Sequence, residues 1–208
     1  MGAAPNFRPV GCPLRTTLRP FFNSTGGASE FDPGRPDPRC HELAAVVTIP
    51  SMRVGIGHDT HRLAEGRPLI LGGVRVEHAR GLVGHSDADV VLHAVTDALL
   101  GAAGLGDIGD AYPDTDQAYR DRDSSFFLTD TLACLNRAGW QVVNVDVIVF
   151  AQEPTLGPVK DAIRRNLAKL LGIEPGAVNV KAKTGERVGA IGRAEAIACQ
   201  AVALIDRT

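Results

Sequence analysis

Asp59 and His61 stand two residues apart in "VGIGHDTHRL" (residues 54–63), and a third candidate donor, His93, lies in "GHSDADVVLHAVTDALL" (residues 84–100). Alternate residues of an extended chain face the same way, so Asp59 and His61 share a face. One carboxylate oxygen and two imidazole nitrogens leave a fourth position open. That is the donor set of a catalytic rather than a structural zinc, or of another divalent transition metal. Spacing alone does not bring a strand and a helix together; a solvated surface histidine and an aspartate capping a turn would read the same way. His85 precedes the same helix, where free backbone N–H groups attract an anion such as a phosphate.

Two more stretches carry polar chemistry. "GLGDIGDAYPDTD" (residues 104–116) is a glycine-rich loop bearing Asp107, Asp110, Asp114 and Asp116. Its carboxylates either make the Asx turns of a hydrophilic loop or grip sugar hydroxyls or a second cation. "KAKTGERVGAIGRAE" (residues 181–195) sets Lys183, Thr184, Glu186 and Arg193 among glycines. Backbone N–H groups, a hydroxyl and cations suit a diphosphate, although the spacing is not that of a P-loop.

The elements that must position these groups follow from the pattern of the chain. Arg53–Gly57 reads as a strand, and Leu69–Leu71 and Val74–Val76 as short strands about Gly72-Gly73. Ser86 to about Ala102 reads as a helix opened by Ser86 and Asp89 in a near capping box. Its buried stripe is Ala88, Val91, Leu92, Val95 and Leu99, with Asp89, His93, Thr96 and Asp97 on the polar side. A second helix runs from about Ser124 to Arg137. In "QVVNVDVIVF" (residues 141–150) Val143, Val145, Val147 and Val149 line one face of a strand. An amphipathic helix follows from about Gly157 to Leu171, stopped by Gly172. Val178–Lys183 is a strand, and "EAIACQAVALI" reads as strand in preference to helix. The order predicts an α+β fold, a mixed sheet with helices packed on one face.

The chain has 208 residues and a formal net charge of −2. Its scattered Lys and Arg argue against nucleic-acid or anionic-membrane partners. No apolar run approaches the roughly 20 residues of a membrane span. Cys12, Cys40, Cys134 and Cys199 form no C-x-x-C pair, which suits reduced thiols in the cytoplasm and leaves any metal to His and carboxylate. Residues 1–51 hold eight of the thirteen prolines and no sustained periodicity. They read as an extension that is disordered or lies upstream of a natural start at Met52. The alternatives are a functional tail or, from the acid-free stretch around Arg8, Arg15 and Arg19, an organelle transit peptide of plastid type. Residues 52–208 are the expected domain.

"GHDTH", "GHSDADVVLHAVTDALLGAAGLGDIGDAYPDTD", "VDVIVFAQEP" and "NVKAKTGERVGAIGRAEAIACQAVALI" together resemble the 2-C-methyl-D-erythritol 2,4-cyclodiphosphate synthase family of the non-mevalonate isoprenoid pathway. The resemblance runs from about Arg53 to Ile205. It implies a homotrimer with active sites at subunit interfaces, converting 4-diphosphocytidyl-2-C-methyl-D-erythritol 2-phosphate into the cyclic diphosphate and CMP. It implies zinc on Asp59, His61 and His93, with Thr60 in the same substrate-contacting segment. His85 and Ser86 match the phosphate-holding loop, Asp107, Ile108 and Gly109 the diol-binding segment, and Tyr112, Pro113, Asp114, Thr115 and Asp116 a further erythritol and phosphate loop. Ala151, Gln152, Glu153, Pro154, Thr155, Leu156 and Gly157 match the cytosine pocket. Lys183, Thr184, Gly185 and Glu186 match the diphosphate segment, with Mg²⁺ or Mn²⁺ held through Glu186. His85 and Thr184 would stabilise the transition state. Ala190 and Arg193 fall at the trimer axis, where family members hold an isoprenoid diphosphate-like ligand. The chain departs from the common pattern at Tyr112 and Lys183, often Phe and Thr, at Ala190, and at Thr155-Leu156, often a basic–apolar pair. The same residues admit two other readings, a metal-dependent phosphoesterase with a linear product and a non-catalytic trimer that binds isoprenoid diphosphates.

Overall fold

A computed structural model of the chain describes residues 51–208. Except for Ser51, the N-terminal extension named above lies outside the described residues. The strand that opens at Arg53 does not stop at Gly57 but continues to Glu65 (β1, Arg53–Glu65). Asp59 and His61 therefore lie within a strand, not beyond one. β1 persists through polar residues because every residue of it has a ladder partner on at least one edge. β7 (Ala196–Arg207) accompanies it from Arg53↔Ile205 to Arg62↔Ala196, and β4 (Arg80–Val83) takes its other edge from Arg62 to Glu65. Ladder partners satisfy the backbone whatever the side chains are. The ambiguous C-terminal segment is thus a strand, as preferred.

The five-stranded sheet has the order β4-β1-β7-β5-β6, with β5 spanning Trp140–Phe150 and β6 spanning Val178–Lys183. Among the described residues its ladders are antiparallel except β5–β6, so the sheet is mixed. A parallel pair needs a crossover. Helix α4 (Lys160–Leu171) supplies it, ending at Gly172 in the left-handed region, as expected. The predicted hairpin β2 (Leu69–Leu71) and β3 (Val74–Val76) forms a separate two-stranded sheet about Gly72-Gly73. Val143 does not join Val145, Val147 and Val149 on the buried face. A bulge shifts the register between Val142 and Asn144 and leaves Val143 exposed.

Helix α1 (Val90–Ala103) starts four residues later than the near capping box suggested. Asp89 is its N-cap and is wholly buried. Its carboxylate accepts the N–H groups of Val91 and Leu92 at 3.0 and 3.1 Å and those of Gly72 and Gly73 at 2.8 and 2.6 Å. Thr96 is buried too, donating to the Leu92 carbonyl at 2.8 Å. Asp89 and Thr96, on the supposed polar side of the helix, are buried because α1 lies between the sheet, the β2–β3 hairpin and helix α3 (Ser125–Arg137).

α1 lies unusually close to β1. A Cβ on Gly55 would stand 2.0 Å from the Ala98 carbonyl oxygen, and one on Gly57 2.0 Å from that of Ala94. Ala203 and Ala201, paired with these glycines on β7, are buried and extend the floor of small residues. Along β1 the covered face thus reads Gly55, Gly57, Asp59, His61. The opposite face is left open and exposes Val54, Ile56 and, on β7, Val202 at 67%, 64% and 40%. Two short helices, α2 (Ile108–Ala111) and α5 (Gly189–Gly192), lie in the loops. Among the described residues no helix is long and apolar enough to cross a membrane.

Candidate metal centre and substrate cavities

Where the glycine floor ends, the next two covered positions of β1 meet the first turn of α1. Asp59 Oδ2 lies 2.9 Å from His61 Nε2 and 2.9 Å from His93 Nδ1, and the two nitrogens are 3.1 Å apart. The three predicted donors do converge. Ligand atoms of a tetrahedral zinc, with bonds of about 2.0–2.1 Å, lie about 3.3 Å from one another. His61 Nδ1 is 3.0 Å from the Val83 carbonyl oxygen, which can only accept. Nδ1 therefore carries a proton, and Nε2 is the atom that faces the cluster, to donate to Asp59 or, once deprotonated, to ligate a metal.

Electrostatics also favour a cation here. Burial alone would push the Asp59 carboxyl up, but hydrogen bonds with His61 and His93 outweigh it and hold Asp59 well below the usual carboxylate range. Burial would likewise lower His61, yet the Asp59 carboxylate raises it above its ordinary value. The cluster is set to hold positive charge, as protons or as a metal ion, and Asp59, His61 and His93 fit the ion that their types suggested.

These groups form one wall of a cavity of about 680 Å³. It is also lined by His85, Ser86, Ile108, Gly109, Tyr112, Pro113, Asp114 and Thr115, which joins the sequence segments 59–61, 85–93 and 108–115. His85 Nε2 is buried with no partner among the described residues, available to a ligand. The Ser86 hydroxyl accepts from the Ala88 N–H at 3.1 Å and lies 3.2 Å from His93 Nε2. Asp97, one turn beyond His93, accepts the Ile108 N–H at 2.8 Å and so ties the 107–112 loop to α1. Tyr112 donates to Asp130 Oδ2 at 3.0 Å, and burial pushes its hydroxyl pKa up, so it remains a neutral donor.

Asp107 and Asp116 do not line this cavity; each caps a short helix, accepting from Asp110 N–H at 2.8 Å and from Ala118 N–H at 2.9 Å. Thr60 alternates to the open face of the sheet, with Oγ1 3.1 Å from His58 Nε2. A second cavity, of about 230 Å³, gathers Ala151, Gln152, Pro154, Thr155, Leu156, Gly157, Lys183 and Thr184. Glu153 pairs instead with Arg80 at 3.8 Å, Glu186 accepts from the Thr184 hydroxyl at 2.8 Å, and Arg193 pairs with Glu195 at 2.8 Å. Gly185 and Ala190 line neither cavity.

Sequence reasoning missed Gly84, Tyr119 and Phe127 on the first cavity and Lys160 and Ala182 on the second. Tyr119 follows an acidic loop with no periodic signal of its own, and Phe127 reads only as part of the helix from about Ser124. They pack on Tyr112, at 5.6 and 5.0 Å between ring centres. Lys160 was legible only as the first turn of α4.

The family model of the YgbB family matches residues 52–206. The 2-C-methyl-D-erythritol 2,4-cyclodiphosphate synthase of Bordetella avium is 57% identical over 161 residues, which are 77% of this chain and 99% of that protein. The solved bifunctional IspDF from Campylobacter jejuni superposes with a TM-score of 0.73 at 41% identity, covering 76% of this chain, which spans 42% of that longer one. IspF of Plasmodium falciparum, solved as a CDP complex, superposes with a TM-score of 0.67 at 32% identity and covers 76% of this chain and 97% of its own. Since the family match takes in every strand and helix that carries the candidate metal centre and both cavities, this chain belongs to the YgbB family.

Proposed function

We propose that the chain converts 4-diphosphocytidyl-2-C-methyl-D-erythritol 2-phosphate into 2-C-methyl-D-erythritol 2,4-cyclodiphosphate and CMP, a step of non-mevalonate isoprenoid precursor synthesis. The observation that carries this reading is the Asp59–His61–His93 cluster opening into a cavity lined by His85 and the 108–115 loop. The family membership and the CDP complex of a solved relative support it.

The reaction is an intramolecular phosphoryl transfer, a lyase-type cyclisation. An oxygen of the 2-phosphate forms a bond to the β-phosphorus, the bond from that phosphorus to the α–β bridging oxygen breaks, and CMP leaves with the electron pair. Both reactants share one molecule, so the protein's work is alignment and charge stabilisation. Zinc, or another divalent transition metal, on Asp59, His61 and His93 would act as template and Lewis acid. His85, whose buried Nε2 has no partner among the described residues, donates to a phosphate oxygen. Ile108, Gly109 and the 112–115 segment hold the erythritol, with Asp107 and Asp116 fixing the local turns. The 151–157 loop takes the cytosine ring, and Lys183 and Thr184 face the diphosphate beside it. Glu186, next to the Thr184 hydroxyl, would hold Mg²⁺ or Mn²⁺.

The metal centre and the nucleotide cavity sit on different strands of one subunit, which suits active sites completed at the interfaces of a homotrimer. The uncovered apolar residues Val54, Ile56 and Val202 support burial of the open sheet face in that assembly. Phosphorus NMR of the protein with substrate and Mg²⁺, before and after zinc is stripped by a chelator, tests the reaction. Cyclic diphosphate and CMP should appear, vanish on stripping and return with added zinc. A linear product carrying solvent oxygen would make the protein a phosphoesterase. No turnover by a verified trimer would make it a binding protein.

A further inference from the structure

Ser124 occupies the N-cap position of α3, a place where a serine hydroxyl ordinarily accepts from the helix backbone, yet it makes no capping bond. Its hydroxyl turns toward the metal centre instead. Ser124 Oγ lies 2.8 Å from His93 Nε2, and the same hydroxyl bonds to Asp87 Oδ1 in a short contact. We propose that Ser124 and Asp87 are positioning residues that fix the tautomer of His93 and aim its Nδ1 at the metal, an inference that rests on the metal reading given above.

The direction of each bond follows from the inventory of protons. The Asp87 carboxylate can only accept, so the Ser124 hydroxyl donates to it. With that proton committed, Ser124 Oγ can only accept from the imidazole, so His93 Nε2 carries the hydrogen. With Nε2 holding its hydrogen, Nδ1, the atom 2.9 Å from Asp59 Oδ2 and 3.1 Å from His61 Nε2, is the one left to give its lone pair to a metal. The Ser86 hydroxyl fits the same scheme. It accepts from the Ala88 N–H at 3.1 Å and donates to Ser124 Oγ at 3.2 Å. Ser124 is wholly buried and Ser86 nearly so.

Asp87 is itself held. Its Oδ2 accepts the Ser124 N–H at 3.2 Å, its Oδ1 accepts the Asp89 N–H at 3.2 Å, and its own N–H donates to the Arg122 carbonyl at 3.1 Å. The relay therefore ties the loop before α1 to the start of α3. It does for His93 what the Val83 carbonyl does for His61, with a side-chain carboxylate behind a hydroxyl in place of a backbone group. A carboxylate behind a metal-ligating histidine raises its basicity and sets its ring, and losing such a partner typically costs about ten- to a hundredfold in metal affinity.

The test is zinc affinity of the metal-stripped full chain, read by competition with a chromophoric chelator. Ser124→Ala and Asp87→Asn should each bind zinc about ten- to a hundredfold more weakly than the wild type. The asparagine keeps the shape, but its amide can donate to Ser124 Oγ, which reverses the relay and admits the Nδ1–H tautomer. Nitrogen-15 NMR of the zinc-loaded wild type should show His93 with its hydrogen on Nε2 and Nδ1 as the metal-bound nitrogen. That reading needs no variant and decides the matter if the variants fail to fold. Zinc affinity within about twofold of wild type in both folded variants, or a zinc-loaded wild type in which His93 keeps its hydrogen on Nδ1, would overturn the positioning role while leaving the metal reading intact. A wild type that binds no zinc would overturn both.

Discussion

Gly57→Ala adds one methyl group where α1 rests on β1, and the structure gives the size of the disturbance. The new Cβ would stand 2.0 Å from the Ala94 carbonyl oxygen and 2.7 Å from the Ala98 nitrogen. Both are helix backbone, so no side chain can swing aside. Restoring ordinary contact, 3.4 Å or more, requires the helix to retreat by roughly 1.4 Å at the turn that begins with His93. Overpacking of this kind costs about 1–3 kcal/mol. With rigid atoms on both sides the upper end applies, lowering Tm by about 6–12 °C for a domain of this length. The retreat also opens the 2.9 Å contact between His93 Nδ1 and Asp59. Zinc affinity should fall at least tenfold, and turnover by about a hundredfold, the usual effect of a misplacement near 1 Å. Gly101→Ala is the matched control. Gly101 is exposed on the same helix, with only the Ile56 carbonyl near, at 3.9 Å. Alanine there should stabilise the protein by about 0.5–1 kcal/mol without touching the site. Calorimetry and chelator competition on both variants give the answer. A Gly57→Ala protein with wild-type zinc affinity and a Tm within about 1 °C of wild type would refute the close-packing argument.

Asp89→Ala removes a buried acceptor shared by four backbone N–H groups, those of Gly72, Gly73, Val91 and Leu92. Leaving several of them unpaired should cost about 3–6 kcal/mol in urea denaturation, and a loss below about 1 kcal/mol would mean that water reaches the cap. Burial pushes the Cys199 thiol well up, so it should resist alkylation at pH 8 in the folded protein and react only on unfolding. Mass spectrometry of the digest checks this, and labelling of Cys199 without unfolding would show that β7 opens.

The metal donors were legible because residue type and period suffice for them. Asp-x-His on an extended run shares a face, and His93 follows the start of a helix. What spacing could not supply was their meeting, which depends on Gly55 and Gly57 letting α1 approach to backbone contact. Those glycines read locally as weak strand formers. The start of α1 was misplaced for a related reason: Ser86 and Asp89 have the types of a capping pair, but Asp89 is the cap and Ser86 serves the relay. Thr96 and Asp89 looked solvent-facing on a helical wheel because the wheel cannot know that a hairpin covers the second side. Val143 failed through the β5 bulge, which a period-two reading cannot detect. Ser124 was visible as a helix start, while its real partners lie 31 and 37 residues away in the chain. The 151–157 segment was read from resemblance, and only the fold could place Lys160 beside it.

β1 serves two masters at alternate positions. Its odd residues from Gly55 to His61 carry the helix floor and the metal donors, and its even residues from Val54 to Thr60 form the open face. The strand can absorb many substitutions on one side without disturbing the other, but it cannot absorb a change of length. Deleting or inserting a single residue ahead of Asp59 would turn valine and isoleucine against α1 and send the glycines outward, exchanging the two jobs in one step. Drift in this stretch is therefore confined to exchange of side chains, with gaps admissible only beyond Glu65, where the ladder ends and the loop to β2 begins.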